Sequence, residues 1–194
     1  MAADRRGFAL VFVVVTLAVM LILATVVLSN TASGRQRDRI IATTSALLRF
    51  KSEIGSQTNQ PSYFGDVKLN PGLLSHLFVQ IATTDSNACG QPYAGPDVNK
   101  FLGPYHLVTM VRRTQYQIEP GIILEDTLQR VPTTGPGNQA AILQLVMNNV
   151  AIADAQDLGA AMDGITTGAG PNITFTPAGS NPVTVYYNVP IVGC

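Results

Sequence analysis

Twenty-one consecutive residues, Phe8 to Leu28, carry no charge. They follow Arg5-Arg6-Gly7 directly, near the start of a chain of 194 residues. A run of this length can cross the apolar core of a bilayer as one helix, for which roughly 20 residues suffice. It divides the chain into an apolar N-terminal segment and a remainder of a size for one domain. Charged residues make up only 12% of the sequence, below the usual quarter. The apolar run and a tail without charges from residue 165 onward account for the shortfall.

The net charge is zero, but it is unevenly placed. Residues 1–51 hold seven Arg/Lys against two Asp/Glu, whereas residues 52–194 hold five against ten. The larger part is therefore net −5 (5 − 10). Such a charge repels phosphate backbones, so nucleic acid is not an expected partner. Arg112-Arg113 reads as a solvated strand edge. The two cysteines, Cys89 and Cys194, read as one disulfide if the head is exported, with free thiols as the alternative. A bridge between them would close a long loop, for which chain-entropy models give a ceiling of about 4–5 kcal/mol.

Three readings of the apolar segment compete. A cleaved secretory signal would have an apolar core of about 7–15 residues and a small-x-small exit. The run is longer than that, and Thr31-Ala32-Ser33 is a poor exit. A plain membrane anchor is the second reading. Arg5 and Arg6 precede the run and Arg35, Arg37 and Arg39 follow it, so the positive-inside count assigns no orientation. The third reading rests on Arg6-Gly7-Phe8, which runs straight into the apolar segment. This resembles the processing site of type IV pilins and type II secretion pseudopilins.

The resemblance implies that residues 1–7 are a leader, that a prepilin peptidase cuts between Gly7 and Phe8, and that Phe8 becomes an N-methylated mature N-terminus. It further implies assembly with other pilin or pseudopilin subunits through Phe8 and the segment behind it. Members of the family usually carry Glu at the fifth mature position, where this chain has Phe12. In the family that Glu neutralises the N-terminal amine of a neighbouring subunit, and an unpaired charge in hydrocarbon costs a few kcal/mol. Phe12 therefore points to a minor or specialised subunit. Thr16 is expected only to bond its own helix backbone.

Beyond the apolar run, Ile40, Ile41, Leu47, Leu48 and Ile54 recur at seven-residue intervals, which predicts one apolar helical stripe. A helix from Phe8 to a stop at Gly55 would be about 70 Å long. Gly34 is a weak point within it. Residues 55–70 read as a loop, and Asn70-Pro71 as the start of a short amphipathic helix through Leu73, Leu74, Leu77, Phe78 and Ile81. Asp85 to Lys100 is rich in turn residues. Strands are predicted over Tyr105–Arg112, Gln115–Ile118, Ala140–Met147 and Val183–Val189. Ile122–Leu128 is ambiguous, and Val131–Asn138 reads as a loop. Asn149 is placed as the cap of a helix over Val150–Asp163 with Ile152, Ala155, Gly159 and Met162 on its apolar face and Gly164 as its stop.

Two further stretches resemble minor-pilin heads. Cys89-Gly90 followed by Phe101-Leu102-Gly103-Pro104-Tyr105 is similar to an aromatic-x-Gly-Pro-Tyr element that opens the sheet, with Phe101 where Trp is frequent. The helix ending at Asp163-Gly164, then Thr167-Gly168 and the late Cys194, is similar to the C-terminal part of such heads, with one Asp where relatives often have two. The resemblance implies an α+β, pilin-like fold: a long N-terminal transmembrane and stalk α-helix over residues 8–54, packed on an antiparallel β-sheet head over residues 55–194.

Chemistry in the head is not expected. His76 and His106 sit in no nucleophile elbow, zinc spacing or phosphate loop, so no catalytic, cofactor or metal residue is assigned. Asp154, Asp157 and Asp163 lie near one another and leave calcium as an alternative, although calcium needs six or more oxygens and the spacing is not that of an EF-hand. Asn172-Ile173-Thr174 is a formal glycosylation sequon. The sequence therefore leads to a non-enzymatic filament subunit. It begins in the inner membrane and ends in a periplasmic or extracellular helical polymer of a bacterium. The rival is a membrane-tethered periplasmic binding module that does not polymerise.

Overall fold

The computed structural model describes residues 4–55, 62–106, 115–120, 122–132, 141–176 and 182–191, with α1 side chains described for 12–25 and 34–54. It divides into two compact units, Met1–Arg39 and Ile40–Cys194. The described elements in chain order are α1 (Asp4–Ile54), α2 (Tyr63–Val67), a 3-10 turn η1 (Leu74–Leu77), α3 (Gly95–Asn99), β1 (Gln115–Glu119), β2 (Ile122–Pro132), β3 (Ala141–Val150), α4 (Ile152–Asp163), β4 (Ile173–Phe175) and β5 (Val183–Ile191).

The strands form one antiparallel sheet in the order β1-β2-β3-β5-β4. Burial alternates along its central strands, as the pleat requires. Ala141, Leu143, Leu145 and Met147 of β3 point into the core, opposite Ile191, Val189, Tyr187 and Val185 of β5. The opposite face carries polar cross-strand pairs. Gln144 Nε2 donates to Asn188 Oδ1 at 2.9 Å, and Thr184 Oγ1 donates to Asn148 Oδ1 at 2.9 Å. The core face is apolar and the opposite face mixes these hydrogen-bonded pairs with Ile142, Val146 and Tyr186, so a one-residue slip would carry Gln144 and Asn148 into the core.

The fold expectation is corrected at its N-terminal end. A long transmembrane stalk helix packed on the sheet is not what the described structure contains. No helix is long and apolar enough, among the described residues, to cross a membrane. The part of α1 that belongs to the sheet domain begins at Ile40. The fold is α+β with a five-stranded antiparallel sheet.

The expected stripe on α1 is also half right. Ile40, Leu47 and Ile54 are buried, but Ile41 is 56% and Leu48 49% exposed. The buried face runs instead through Ile40, Thr43, Leu47, Phe50 and Ile54, all in the core. Seven-residue spacing marks two parallel rows on a helix, and only the i, i+3, i+7 continuation through Thr43 and Phe50 identifies the one facing inward. The helix ends at Ile54, where the Gly55 N–H still bonds Lys51 O at 3.1 Å.

The helix predicted from Asn70-Pro71 to Ile81 shrinks to the single turn η1. Asp126 caps this turn from β2: its Oδ1 accepts from the Ser75 N–H at 2.5 Å and its Oδ2 from the Ser75 hydroxyl at 3.0 Å. Leu73 is drawn into a bridge with Thr127 of β2, so the chain is tied to the sheet where a longer helix would turn away. The loop read over 55–70 contains α2, capped by Ser62 Oγ accepting from the Gly65 N–H at 3.1 Å. Ile122–Leu128, ambiguous by pattern, lies within β2. Tyr105 and His106 are not in a strand, and 107–114 and 133–140 lie outside the described residues.

Asn149 does not cap α4. It sits at φ 59 in the irregular end of β3, where the pairing shifts between Met147 and Val150, and Ala151 occupies the cap position. Asn tolerates this left-handed conformation better than most residues. Gly164 stops α4 as expected, at φ 71. Gly159 is required by contact: a Cβ there would lie 2.6 Å from Ile165 O. Leu158, absent from the expected apolar face, is fully buried.

Phe50→Ala should therefore destabilise the sheet domain by about 3–5 kcal/mol, as large-to-small changes of buried aromatics do. Leu48→Ala should cost under about 0.5 kcal/mol, as an exposed-site change. Urea unfolding followed by far-UV circular dichroism distinguishes the two.

Candidate functional site

Two regions carry the residues singled out by the sequence. The first is the apolar segment. Gly7 and Phe8 lie within the range of α1, with their side chains outside those described. Phe12 is 64% exposed, and every large hydrophobic described from Val13 to Leu23 is exposed as well. The few polar atoms turn inward along the helix. Thr16 Oγ1 donates to Phe12 O at 2.7 Å and Val13 O at 3.0 Å, and Thr25 Oγ1 donates to Ile22 O at 2.8 Å. The described surface of the segment is thus apolar without a polar stripe, unlike a helix built to lie half in water.

The second region is the seam where the end of α1 meets the sheet. Phe50 stacks on His106 at a centroid distance of 4.5 Å and meets the edge of Tyr116 at 5.2 Å. Phe78 closes the group, stacked on Tyr116 at 5.7 Å and edge-on to His106 at 5.3 Å. A chain of polar contacts threads these rings. Arg49 Nε donates to Glu53 Oε1 at 2.8 Å, Glu53 Oε2 meets His106 Nδ1 at 2.6 Å, and His106 Nε2 meets Tyr116 OH at 3.2 Å. Burial pushes the Tyr116 hydroxyl up; Arg49 lowers it and Glu53 raises it.

Sequence reasoning missed this seam. Glu53 reads as one more charge near a helix end. Its position three residues after Phe50, on the same helix face, is the signal that it turns inward. His106 was expected in a strand after the Gly-Pro turn. Instead its backbone N–H bonds Leu77 O at 3.2 Å and its side chain is 2% exposed. Both ring nitrogens are engaged, Phe50 stacks on the ring, and Phe78 and Tyr116 meet it edge-on. What this arrangement does is hold three chain segments, α1, the 101–106 strap and β1, at one point.

The aromatic-x-Gly-Pro-Tyr element forms a second anchor. Tyr63 packs edge-on against Phe101 at 6.2 Å and Tyr105 at 5.7 Å. Tyr105 OH donates to Asp66 Oδ2 at 2.8 Å. Burial, followed by that hydrogen bond, raises the Tyr105 hydroxyl well above its ordinary value. His76 is buried in η1, with Nδ1 3.2 Å from Tyr93 OH. Cys89 is disulfide-bonded, while Cys194 lies outside the described residues. Arg112 and Arg113 also lie outside them.

The three aspartates weighed for calcium part company. Asp163 spends its carboxylate on the loop after α4: Oδ2 accepts from the Ile173 N–H at 2.7 Å and Oδ1 from Asn172 Nδ2 at 2.7 Å, with the Asn172 N–H at 3.2 Å from both oxygens. Asp154 is buried and Asp157 exposed on α4. Among the described residues, no group of three or more His, Cys, Asp or Glu is arranged to hold a metal ion.

No family model matches the chain, and neither a curated protein nor a solved structure matches it.

Removing one member of the Glu53–His106 pair strands the other in the core. Glu53→Leu should cost about 1–3 kcal/mol, as for leaving a buried polar group without its partner. A double-mutant cycle with His106→Phe should return a coupling of about 0.5–3 kcal/mol. Chemical denaturation at neutral pH measures both.

Proposed function

We propose that the chain is a structural subunit of a type IV pilus or type II secretion pseudopilus. A prepilin peptidase processes it between Gly7 and Phe8, and it assembles with other subunits through the apolar segment that follows. The inner membrane is its station before assembly, and a periplasmic or extracellular helical filament its destination. The observation that carries the reading is the uncharged run Phe8–Leu28 directly behind Arg5-Arg6-Gly7. Its described side chains stand exposed from Phe12 to Leu23. Full burial of each large apolar side chain is worth about 1.5–3 kcal/mol. A contiguous apolar surface of this kind marks an interaction site.

Neighbouring copies supply the natural cover. Apolar helices pack on one another through van der Waals contact even where the surroundings are equally apolar. Phe12 at the fifth mature position offers no carboxylate to a neighbour's N-terminal amine, so the subunit is a minor or specialised one. The sheet domain is the part that meets water, with a net −5 over residues 52–194 (5 − 10).

Substituting Gly7 with Val should leave an unprocessed precursor that stays with the membrane fraction, seen as a size shift on immunoblots. Mass spectrometry of the native protein should find an N-methylated Phe8 as the first residue. An intact leader on a protein that never sediments with filaments would instead establish the tethered binding module and end the filament reading.

A further inference from the structure

Three chain segments meet at one buried chain of hydrogen bonds outside the seam. Tyr63 opens α2, His76 lies within η1, and Tyr93 follows the turn that holds Cys89. Tyr63 OH donates to the Tyr93 oxygen at 2.7 Å. The Tyr93 hydroxyl must then place its own proton, and its remaining hydrogen-bond neighbour is His76 Nδ1, at 3.2 Å. Nδ1 must then present a lone pair, which makes His76 the neutral tautomer with its proton on Nε2.

There is little slack for another arrangement. Tyr63, Tyr93 and His76 are all buried, so water does not stand in for a lost partner. A Cβ at Gly72 would lie 2.0 Å from Ser86 O, which places the backbone at 72 hard against 86–87. We propose that this chain is an acid-sensitive lock: a proton taken from solvent at His76 Nδ1 sets two donors face to face and frees the layer formed by residues 62–94 from its neutral-pH packing. The lock stands independently of the filament reading.

The charges around the imidazole fix the sign. Asp85 and Asp126 face it, and both favour its charged form. Asp85 Oδ2 also accepts the Ala82 N–H at 2.8 Å, and Asp126 is committed to Ser75. Burial outweighs the two carboxylates and holds His76 below its ordinary value of 6.5. The folded state therefore prefers neutral His76. The stability this supplies is complete above pH 6.5 and drains as the pH falls from there through the lower folded value.

Hydrogen exchange on the full chain in detergent micelles, corrected for intrinsic rates, tests the lock between about pH 7.5 and about pH 5. In the native chain, protection of peptides from 62–94 should fall by up to roughly tenfold per pH unit inside the window. His76→Gln supplies an acceptor that does not titrate and should keep that protection at both pH values. His106, the other buried histidine, is unchanged in both proteins. Equal losses in the native and His76→Gln chains would overturn the lock. Where the variant fails to fold, 15N shifts of His76 in the native chain decide. A neutral Nε2–H tautomer that titrates below 6.5 together with the loss of protection supports the lock. An Nδ1–H tautomer, or titration without loss of protection, overturns it.

Discussion

The burial of Phe50 sets the arrangement of the sheet domain. Its ring has His106 on one face and Tyr116 at its edge, so it meets the 101–106 strap and β1 at once. That choice fixes the rotation of α1. With Phe50 inward, Leu47 and Ile54 follow into the core and Leu48 turns to solvent. It also carries Glu53 inward, where a carboxylate is tolerated because Arg49 and His106 bind both its oxygens. A buried charge without such partners would cost several kcal/mol. The polar contacts follow from the aromatic packing and then sharpen it.

The same logic recurs wherever this chain lacks regular structure. The described part of 55–106 holds only short helices and isolated bridges. Its order comes from side chains that reach across it. Asp126 ties η1 to β2, Asp66 holds Tyr105, and Tyr63 and Tyr93 close on His76. After α4, Asp163 gathers the next turn. Each is a short-range polar clamp spanning a loop that hydrophobic burial alone would leave loosely placed. A loop layer assembled in this way is open to local control, because one altered protonation state removes a clamp without dissolving the core beneath it.

The parts of the fold that were legible in the sequence are those where periodicity maps onto one element. β3 reads as a buried strand and β5 as the clear strand of the tail, Gly164 ends α4, Gly55 follows the end of α1, and Thr16 bonds its own helix. Illegible parts depended on partners distant in sequence. Nothing near Leu73 announces that Asp126 will capture Ser75, so the pattern suggests a longer helix than forms. Asn149 is a good helix cap by type but takes a left-handed bulge that the β3–β5 register demands. Of the site, Phe12 and the apolar segment are visible as composition. The Glu53–His106 contact joins residues 53 positions apart, and no local pattern reports it. The transmembrane stalk rests on the length of an uncharged run, whereas among the described residues no helix is long and apolar enough to cross a membrane.

The clamp at Asp163 bears on the sequon at Asn172. Attachment of a sugar there requires the side-chain amide nitrogen to swing out and act as the nucleophile. In this fold that nitrogen is held against Asp163 Oδ1 at 2.7 Å, while the backbone on either side is pinned by the same carboxylate and by Asn188. A eukaryotic secretory host producing this polypeptide would thus meet the acceptor already occupied once the turn has folded. Any glycan must be added before the loop closes, and it would displace the carboxylate that shapes the turn.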